Sequence, residues 1–257
     1  MSFSVTKKMM AFAVATAQEA EEVIMEIYST NFDIRSKDDD SPVTEADEKG
    51  EALIRTRLEN AYPEIPFIGE EAYAAGHKPA VDGGLFWLVD ALDGTKEFIN
   101  KRGEFTVNIA LIDAVVPVFG VVHVPAKKRT FWGAHSHGAF AAEGKSAPRG
   151  ITTRTPNADG LVVVASRSHR SGEDEFLKQF TIKETVTSGS SLKFCLVAAG
   201  EADMYPRMSP TSEWDTAAGH AVLLAAGGQM TQIDGSPFVY GKDDILNPHF
   251  IAQGQPD

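Results

Sequence analysis

Six apolar, strand-like runs follow one another without a helical pattern between them: "IPFIGEE", "LFWLVD", "FTVNIALID", "PVFGVVHVP", "RTFWGAH" and "GAFAAEG". No other feature restricts the fold as much. Strands joined by short turns pair antiparallel, so Ile65 to Gly144 predicts a mostly antiparallel sheet. Two helices precede it. Residues 8 to 29 place Met9, Phe12, Ala13, Thr16, Ala20, Val23 and Ile27 at helical spacing, with glutamates between them. Thr44, with Asp47 three residues on, caps a second helix, "TEADEKGEALIRTRLENAY", whose apolar face is Leu53, Ile54 and Leu58. Gly50 weakens that helix locally. The polar stretch "NFDIRSKDDDSP" between them is a loop, and Lys37 within it either reaches the site or is solvated.

Beyond the polar connector "GKSAPRGITTRTPNADG" the pattern changes to alternation. "LVVVAS" is a strand, "SGEDEFLKQF" a helix, and "TVTSGSSLKFCLVAAG" a strand, Gly/Ser turn and helix. "ADMYPR" is a strand, "WDTAAGHAVLLAAGG" a helix and "QMTQID" a strand. Alternation predicts an α/β lobe. The expected division is residues 1–149, two helices and a sheet, and residues 150–257, the α/β lobe, packed as one unit.

Acidic residues outnumber basic ones, 36 to 24, for a formal net charge of -12. Without a Lys/Arg-rich block, duplex nucleic acid is excluded as a partner, while a small phosphorylated ligand is not. The lone cysteine, Cys195, sits on an apolar helix face and reads as a core thiol. The N-terminus lacks a signal-peptide pattern and no stretch is long enough to span a bilayer, so the expectation is a cytoplasmic protein, with peripheral membrane association left open.

"WLVDALDGTKEF" carries the chemistry. A buried strand ends on Asp90, and Asp93, Gly94, Thr95 and Lys96 follow. Two carboxylates in such a turn can converge on a hard cation, which prefers oxygen ligands. They can equally be a polar turn. Glu70 and Glu71 also end a strand, and Asp215 opens a helix, where it can serve as a cap. Each has an ordinary structural explanation; together they describe acids from distant positions gathered into a metal site for phosphoryl transfer. Thr95 beside Asp47 can relay a proton from water. Gly94, Thr95 and Lys96 begin a helical turn whose free N–H groups suit an anion, and "SGSSLK" supplies a second Gly/Ser turn. His135 and His137 alternate on a strand without a third soft ligand, and His220 reads as packing. His169, with Arg167 and Arg170, is a phosphate contact or a solvated loop. "LDGT" superficially matches the haloacid dehalogenases, but their aspartate nucleophile would fall at Ala91.

In combination, Glu70-Glu71, "DALDGT" and "WD" with eleven residues before Gly227-Gly228 resemble the signature of the inositol monophosphatase superfamily of lithium-sensitive, Mg²⁺-dependent phosphatases. Ala91 departs from the usual proline. Within the superfamily, "GSSLKFCLVAAGEADMYPR", "SRSH" and Lys96-Glu97-Phe98 are most similar to the bacterial 3′(2′),5′-bisphosphate nucleotidases.

The resemblance implies a layered α-β-α-β-α sandwich of mixed α+β and α/β character, and in-line hydrolysis of adenosine 3′,5′-bisphosphate to AMP. It implies two to three Mg²⁺ ions held by Glu70, Asp90, the Leu92 carbonyl, Asp93 and Asp215, with Asp47, Thr95 and Glu70 as catalytic residues. Substrate contacts are expected from Gly94, Thr95, Lys96, Arg167, Gly189, Ser190, Ser191, Lys193, Tyr205, Arg207 and Glu213. Lithium inhibition and a homodimer belong to the same expectation. The competing readings are a broad inositol-1-phosphate phosphatase and a catalytically silent metal- and nucleotide-binding regulator.

Overall fold

The computed structural model describes residues 3–36, 42–166 and 172–254. Lys37, Arg167, His169 and Arg170 lie outside the described residues. Helices α1 (Lys7–Tyr28) and α2 (Glu45–Ala61) pack side by side, and the expected Thr44–Asp47 capping box opens α2. The loop between them carries a short antiparallel pair, β1 (Arg35–Ser36) and β2 (Pro42–Val43). Gly50 has a packing reason: a Cβ there would lie 3.3 Å from both Ala91 and Ile24, so its absence lets α2 lie close to the sheet and to α1.

The six expected strands form β3 (Phe67–Gly69), β4 (Leu85–Asp93), β5 (Thr106–Asp113), β6 (Val116–Val124), β7 (Arg129–Ala134) and β8 (Gly138–Glu143). With β9 (Arg149–Ile151) they make a seven-stranded sheet in chain order, antiparallel except for the β3–β4 pair. His135 and His137 fall in the turn after β7, not on a strand, so they do not share a strand face.

The second sheet has the order β11-β10-β12-β14-β13: β10 (Leu161–Ala165), β11 (Ile182–Thr187), β12 (Met204–Arg207), β13 (Gln229–Gln232) and β14 (Phe250–Gln253). Three further helices belong to this half: α5 (Glu173–Leu177), α6 (Leu192–Ala198) and α7 (Glu213–Ala225).

Both faces of the seven-stranded sheet are covered, which is why its strands are apolar on consecutive residues. Trp87, Val89, Ile109 and Val121 face α1 and α2 in one core. Phe86, Leu88, Ala110 and Val122 face the other way, into a core shared with Phe194 of α6, Ala218 and Val222 of α7, and Phe250 of β14. Helices α6 and α7 are therefore sandwiched between the sheets. Gly120 of β6 permits the close approach of α7: a Cβ there would fall 2.3 Å from the Ala218 carbonyl oxygen. The chain crosses from β10 to β11 through α5 and returns past β10 to β12 through α6. Right-handed crossovers taken in opposite directions put α5 and α6 on opposite faces, so α5 forms the outer layer. The architecture is a layered α-β-α-β-α sandwich.

Cys195 is fully buried on α6, and burial pushes its thiol well above the ordinary range. His220 is buried on α7 with Nδ1 3.0 Å from the Tyr240 hydroxyl. No described helix is long and apolar enough to cross a membrane.

Candidate active site and metal centre

Two residues three apart on a regular strand point to opposite faces. Asp90 and Asp93 escape this because β4 bulges between them: Asp90 pairs with Asn108 and Asp93 with Thr106, so three steps on β4 oppose two on β5. Ala91 and Leu92 both turn into the α1/α2 core, as the extra residue of a bulge requires. The bulge forms with alanine at position 91. The Leu92 N–H donates to Asp90 Oδ1 at 2.8 Å, fixing that carboxylate across the irregularity.

The parallel β3–β4 register, Gly69 against Val89, sets the next residue, Glu70, beside Asp90. Glu70 is the first residue of the short helix α3 (Glu70–Ala74). Asp215 arrives from the buried face of the same sheet, as the third residue of α7. Glu70, Asp90 and Asp215 each offer a carboxylate oxygen, and these oxygens all lie within 4.8 Å of one another. Three of the expected ligands thus converge from a strand end, a helix start and a distant helix. Glu71 does not join them.

Two aspartates cap helices and also lie at the candidate site. Asp47 Oδ2 accepts from the Thr44 backbone N–H at 2.9 Å and from the Thr44 hydroxyl at 2.6 Å. Its other oxygen, Oδ1, accepts from the Thr95 hydroxyl at 3.1 Å. Asp215 Oδ2 accepts from the Ser212 N–H at 2.7 Å, closing a second capping box. In both, the cap fixes the rotamer that presents the carboxylate.

Thr95 begins α4 (Thr95–Ile99), the expected short turn, and Gly94 precedes it at φ 94°. A side chain at Gly94 would be strained there, and its Cβ would also fall 2.1 Å from Ser190 Oγ. The Ser190 hydroxyl reaches the carbonyls of Asp93 and Glu104, at 2.8 and 2.7 Å. The Ser191 N–H donates to Asp93 Oδ2 at 2.6 Å, and the Ser191 hydroxyl donates to Asn108 Oδ1 at 2.6 Å. Hence the Ser190 hydroxyl and the Ser191 N–H lock the turn to Asp93, the Ser191 hydroxyl ties it to Asn108, and both residues line the cleft. Gly189 is held by the Glu104 carboxylate, which accepts its N–H at 3.1 Å.

The cleft holds about 400 Å³ and is lined by Glu70, Asp93, Asp215, Gly94, Thr95 and Lys96. Lys193, Tyr205, Arg207, Gly189 and Ser190 line it as well. Arg207 is aimed by Ser166, whose hydroxyl accepts from Nη1 at 2.6 Å. Glu213 does not line the cleft. It is 1% exposed and accepts from the Gly241 and Lys242 backbone N–H groups, at 2.8 and 3.2 Å, and from the Lys242 ammonium. Two steps along a helix carry a side chain far round the axis, so Glu213 and Asp215 cannot share one target. Asn108 and Glu104 carried no sequence signal, because only the fold brings them to the Gly/Ser turn, whereas Ser166 opens the "SRSH" motif.

Crowded, buried acids resist ionisation. Burial, then Glu70, Asp93 and Asp215, hold the Asp90 carboxyl well above the usual range. Burial, with Asp93 and Glu70, does the same for Asp215. Asp93 is pushed up to about 6, mainly by burial, against the opposing pull of the Lys193 ammonium and the Ser191 N–H. Burial also raises Asp47 and lowers Lys193 to about 8. All the converging donors are carboxylate oxygens whose ionised forms need a compensating charge. That donor set fits a hard divalent cation.

The chain matches the model of the inositol monophosphatase family over residues 6–255. It is 43% identical over 242 residues to the 3′(2′),5′-bisphosphate nucleotidase CysQ of Escherichia coli K12, covering 91% of this chain and 95% of that protein. The crystal structure of CysQ from Bacteroides thetaiotaomicron superposes with a TM-score of 0.81 at 38% identity, covering 98% of both chains. An inositol monophosphatase from Zymomonas mobilis superposes with a TM-score of 0.78 at 26% identity, covering 98% of this chain and 95% of its own. Convergent acids, layered fold and matched sequence agree, and the chain belongs to the inositol monophosphatase family.

Proposed function

We infer that the chain is a divalent-cation-dependent 3′(2′),5′-bisphosphate nucleotidase, releasing the 3′-phosphate of adenosine 3′,5′-bisphosphate by direct attack of water. The observation that carries the phosphatase reading is the convergence of Glu70, Asp90 and Asp215 within 4.8 Å, beside the hydrogen-bonded pair Thr95 and Asp47. The nucleotide substrate rests on the similarity to the CysQ proteins.

Glu70, Asp90, Asp93, Asp215 and the Leu92 carbonyl would hold two to three Mg²⁺ ions. Bound there, the cations supply Lewis acidity that acidifies water and offsets phosphoryl charge. The chain's own residues do the rest. Thr95 gives its hydroxyl proton to Asp47 Oδ1, so its oxygen lone pairs face the cleft and can take a proton from an attacking water. Asp47, raised by burial, is the more basic terminus of that relay. The α4 turn presents Gly94, Thr95 and Lys96 to the transferred phosphate. Lys193 and Arg207, which also line the cleft, supply positive charge for the rest of a doubly phosphorylated nucleotide, with Lys193 Nζ 5.1 Å from the Tyr205 ring centroid.

A Mg²⁺ requirement, lithium inhibition, a cytoplasmic location and a homodimer follow from the family likeness and extend the proposal. Steady-state phosphate release at saturating Mg²⁺ tests it. The expected result is a kcat/KM for adenosine 3′,5′-bisphosphate at least tenfold above that for inositol 1-phosphate. A preference for inositol 1-phosphate would replace the nucleotide reading. Tight Mg²⁺-dependent nucleotide binding without phosphate release would identify a silent regulator instead.

A further inference from the structure

Glu70 occupies an unpromising position for a metal ligand. It lies between a three-residue strand, β3, and a five-residue helix, α3, and neither length is self-supporting. Gly69, the N-cap of α3, has no side chain to hold the first turn. The chain supplies an external holder. Glu51 of α2 is 4% exposed, and its two oxygens accept from the first-turn N–H groups of α3: Oε2 from Glu71 at 2.7 Å and Oε1 from Ala72 at 2.7 Å. The fit against the backbone is close. A Cβ on Gly69 would lie 2.5 Å from the Glu51 carboxyl carbon and 2.6 and 2.7 Å from its oxygens.

We propose that Glu51 is a positioning residue for the metal centre, setting the orientation of Glu70 through the first turn of α3. Charge-assisted bonds to two successive amides fix a helix turn in direction as well as place, which one bond cannot do. Glu51 also follows Asp47 by four residues, so both project from one side of α2. One rigid helix thereby sets the carboxylate at the end of the Thr95 relay and, through α3, a cation ligand. The inference rests on Glu70 being a ligand, and its test separates the two claims.

The test titrates the protein with Mg²⁺ by calorimetry, without substrate, for wild type, Glu70→Gln, Glu51→Ala, Glu51→Gln and Gly69→Ala. Partners that orient metal ligands typically govern about 10–100-fold in affinity. Glu51→Ala is therefore expected to raise the Mg²⁺ Kd by about that factor, while kcat at saturating Mg²⁺ stays within a few-fold of wild type. Glu51→Gln keeps one acceptor oxygen and should fall between. Gly69→Ala leaves Glu51 in place but displaces its carboxylate, and should weaken Mg²⁺ in the same direction. If Glu51→Ala fails to fold, Glu51→Gln and Gly69→Ala carry the test.

A purely structural role would lower Tm in these variants and leave the Mg²⁺ Kd unchanged, and that result would overturn the proposal. If Glu70→Gln itself leaves the Mg²⁺ Kd unchanged, the assignment of the metal centre fails. If Glu70→Gln weakens binding while folded Glu51 and Gly69 variants do not, only the role of Glu51 fails.

Discussion

Thr95→Ala is expected to lower kcat by about 10²–10⁴-fold, the range typical of losing a positioned proton-transfer group, with Mg²⁺ affinity nearly unchanged. The hydroxyl touches Asp47 Oδ1 and lines the cleft, and it belongs to none of the converging metal-site carboxylates. Its removal takes away the first acceptor of the water's proton while the cap on Asp47 stays intact, because Thr44 holds the other oxygen. The fold should survive, since Thr95 is only partly buried at the start of a surface turn. Asp93→Asn is the informative contrast. It also lowers turnover strongly, but through weakened cation binding and a loosened link to Ser191, so part of its defect should recover as Mg²⁺ is raised. Calorimetric Mg²⁺ titration with steady-state kinetics separates the two. Near-normal turnover in either variant at saturating Mg²⁺ would remove that residue from the mechanism.

The second large effect couples pH to the cation. Asp90, Asp93, Asp215 and Asp47 all have raised pKa values in the folded chain, Asp93 reaching about 6. A carboxyl raised on folding binds its proton more tightly in the native state. Without cations its contribution is therefore greatest below the unfolded value near 4, and is lost as pH rises through the folded value. His220, lowered to about 3 by burial, acts oppositely: its contribution is complete above about 6.5 and is lost as pH falls.

The difference between melting curves with and without Mg²⁺ removes the His220 contribution and isolates the acids. Mg²⁺ displaces protons from its ligands, so its stabilisation should be small at pH 5.5 and large at pH 7.5. At a hundredfold excess over Kd it amounts to about 2.7 kcal/mol, or roughly 5–10 °C in Tm for a chain of this size. Equal Mg²⁺-induced shifts at both pH values would mean that the buried acids are not the ligands.

Much of this arrangement could be read before the fold was seen, and the unreadable parts have a common cause. Apolar runs and caps are local, so α1, α2, β4 to β8, β10 and α7 follow from sequence spacing. The roles of Asp47 and Asp215 stayed ambiguous because a capping aspartate and a site aspartate have the same sequence signature; in the structure each caps its helix, and the same carboxylates lie beside Thr95 and among the converging acids. The bulge at Ala91-Leu92 depends on β5, which lies opposite and carries its own register. Ser190 and Ser191 sit in a Gly/Ser turn that suits an anion, yet their hydroxyls bond to Asp93, Glu104 and Asn108, more than 80 positions earlier in the chain. Glu213 was expected at the substrate through the resemblance alone, and its carboxylate is instead held by Gly241 and Lys242, partners no local pattern announces. Strand β14 is short and lies between β12 and β13, where pairing on both sides supplies what its four residues do not signal. Glu51 had one local clue, its four-residue spacing from Asp47, but its partners are on α3.

In the proposed mechanism water attacks phosphorus directly, with Thr95 and Asp47 taking its proton and no side chain forming a bond to the phosphoryl group. The stereochemical course at phosphorus tests this most directly. With an adenosine bisphosphate whose 3′-phosphoryl group is made chiral by oxygen isotopes and sulfur, a single in-line displacement predicts inversion of configuration in the released thiophosphate. Retention would require two displacements through a phosphoenzyme and would contradict the account.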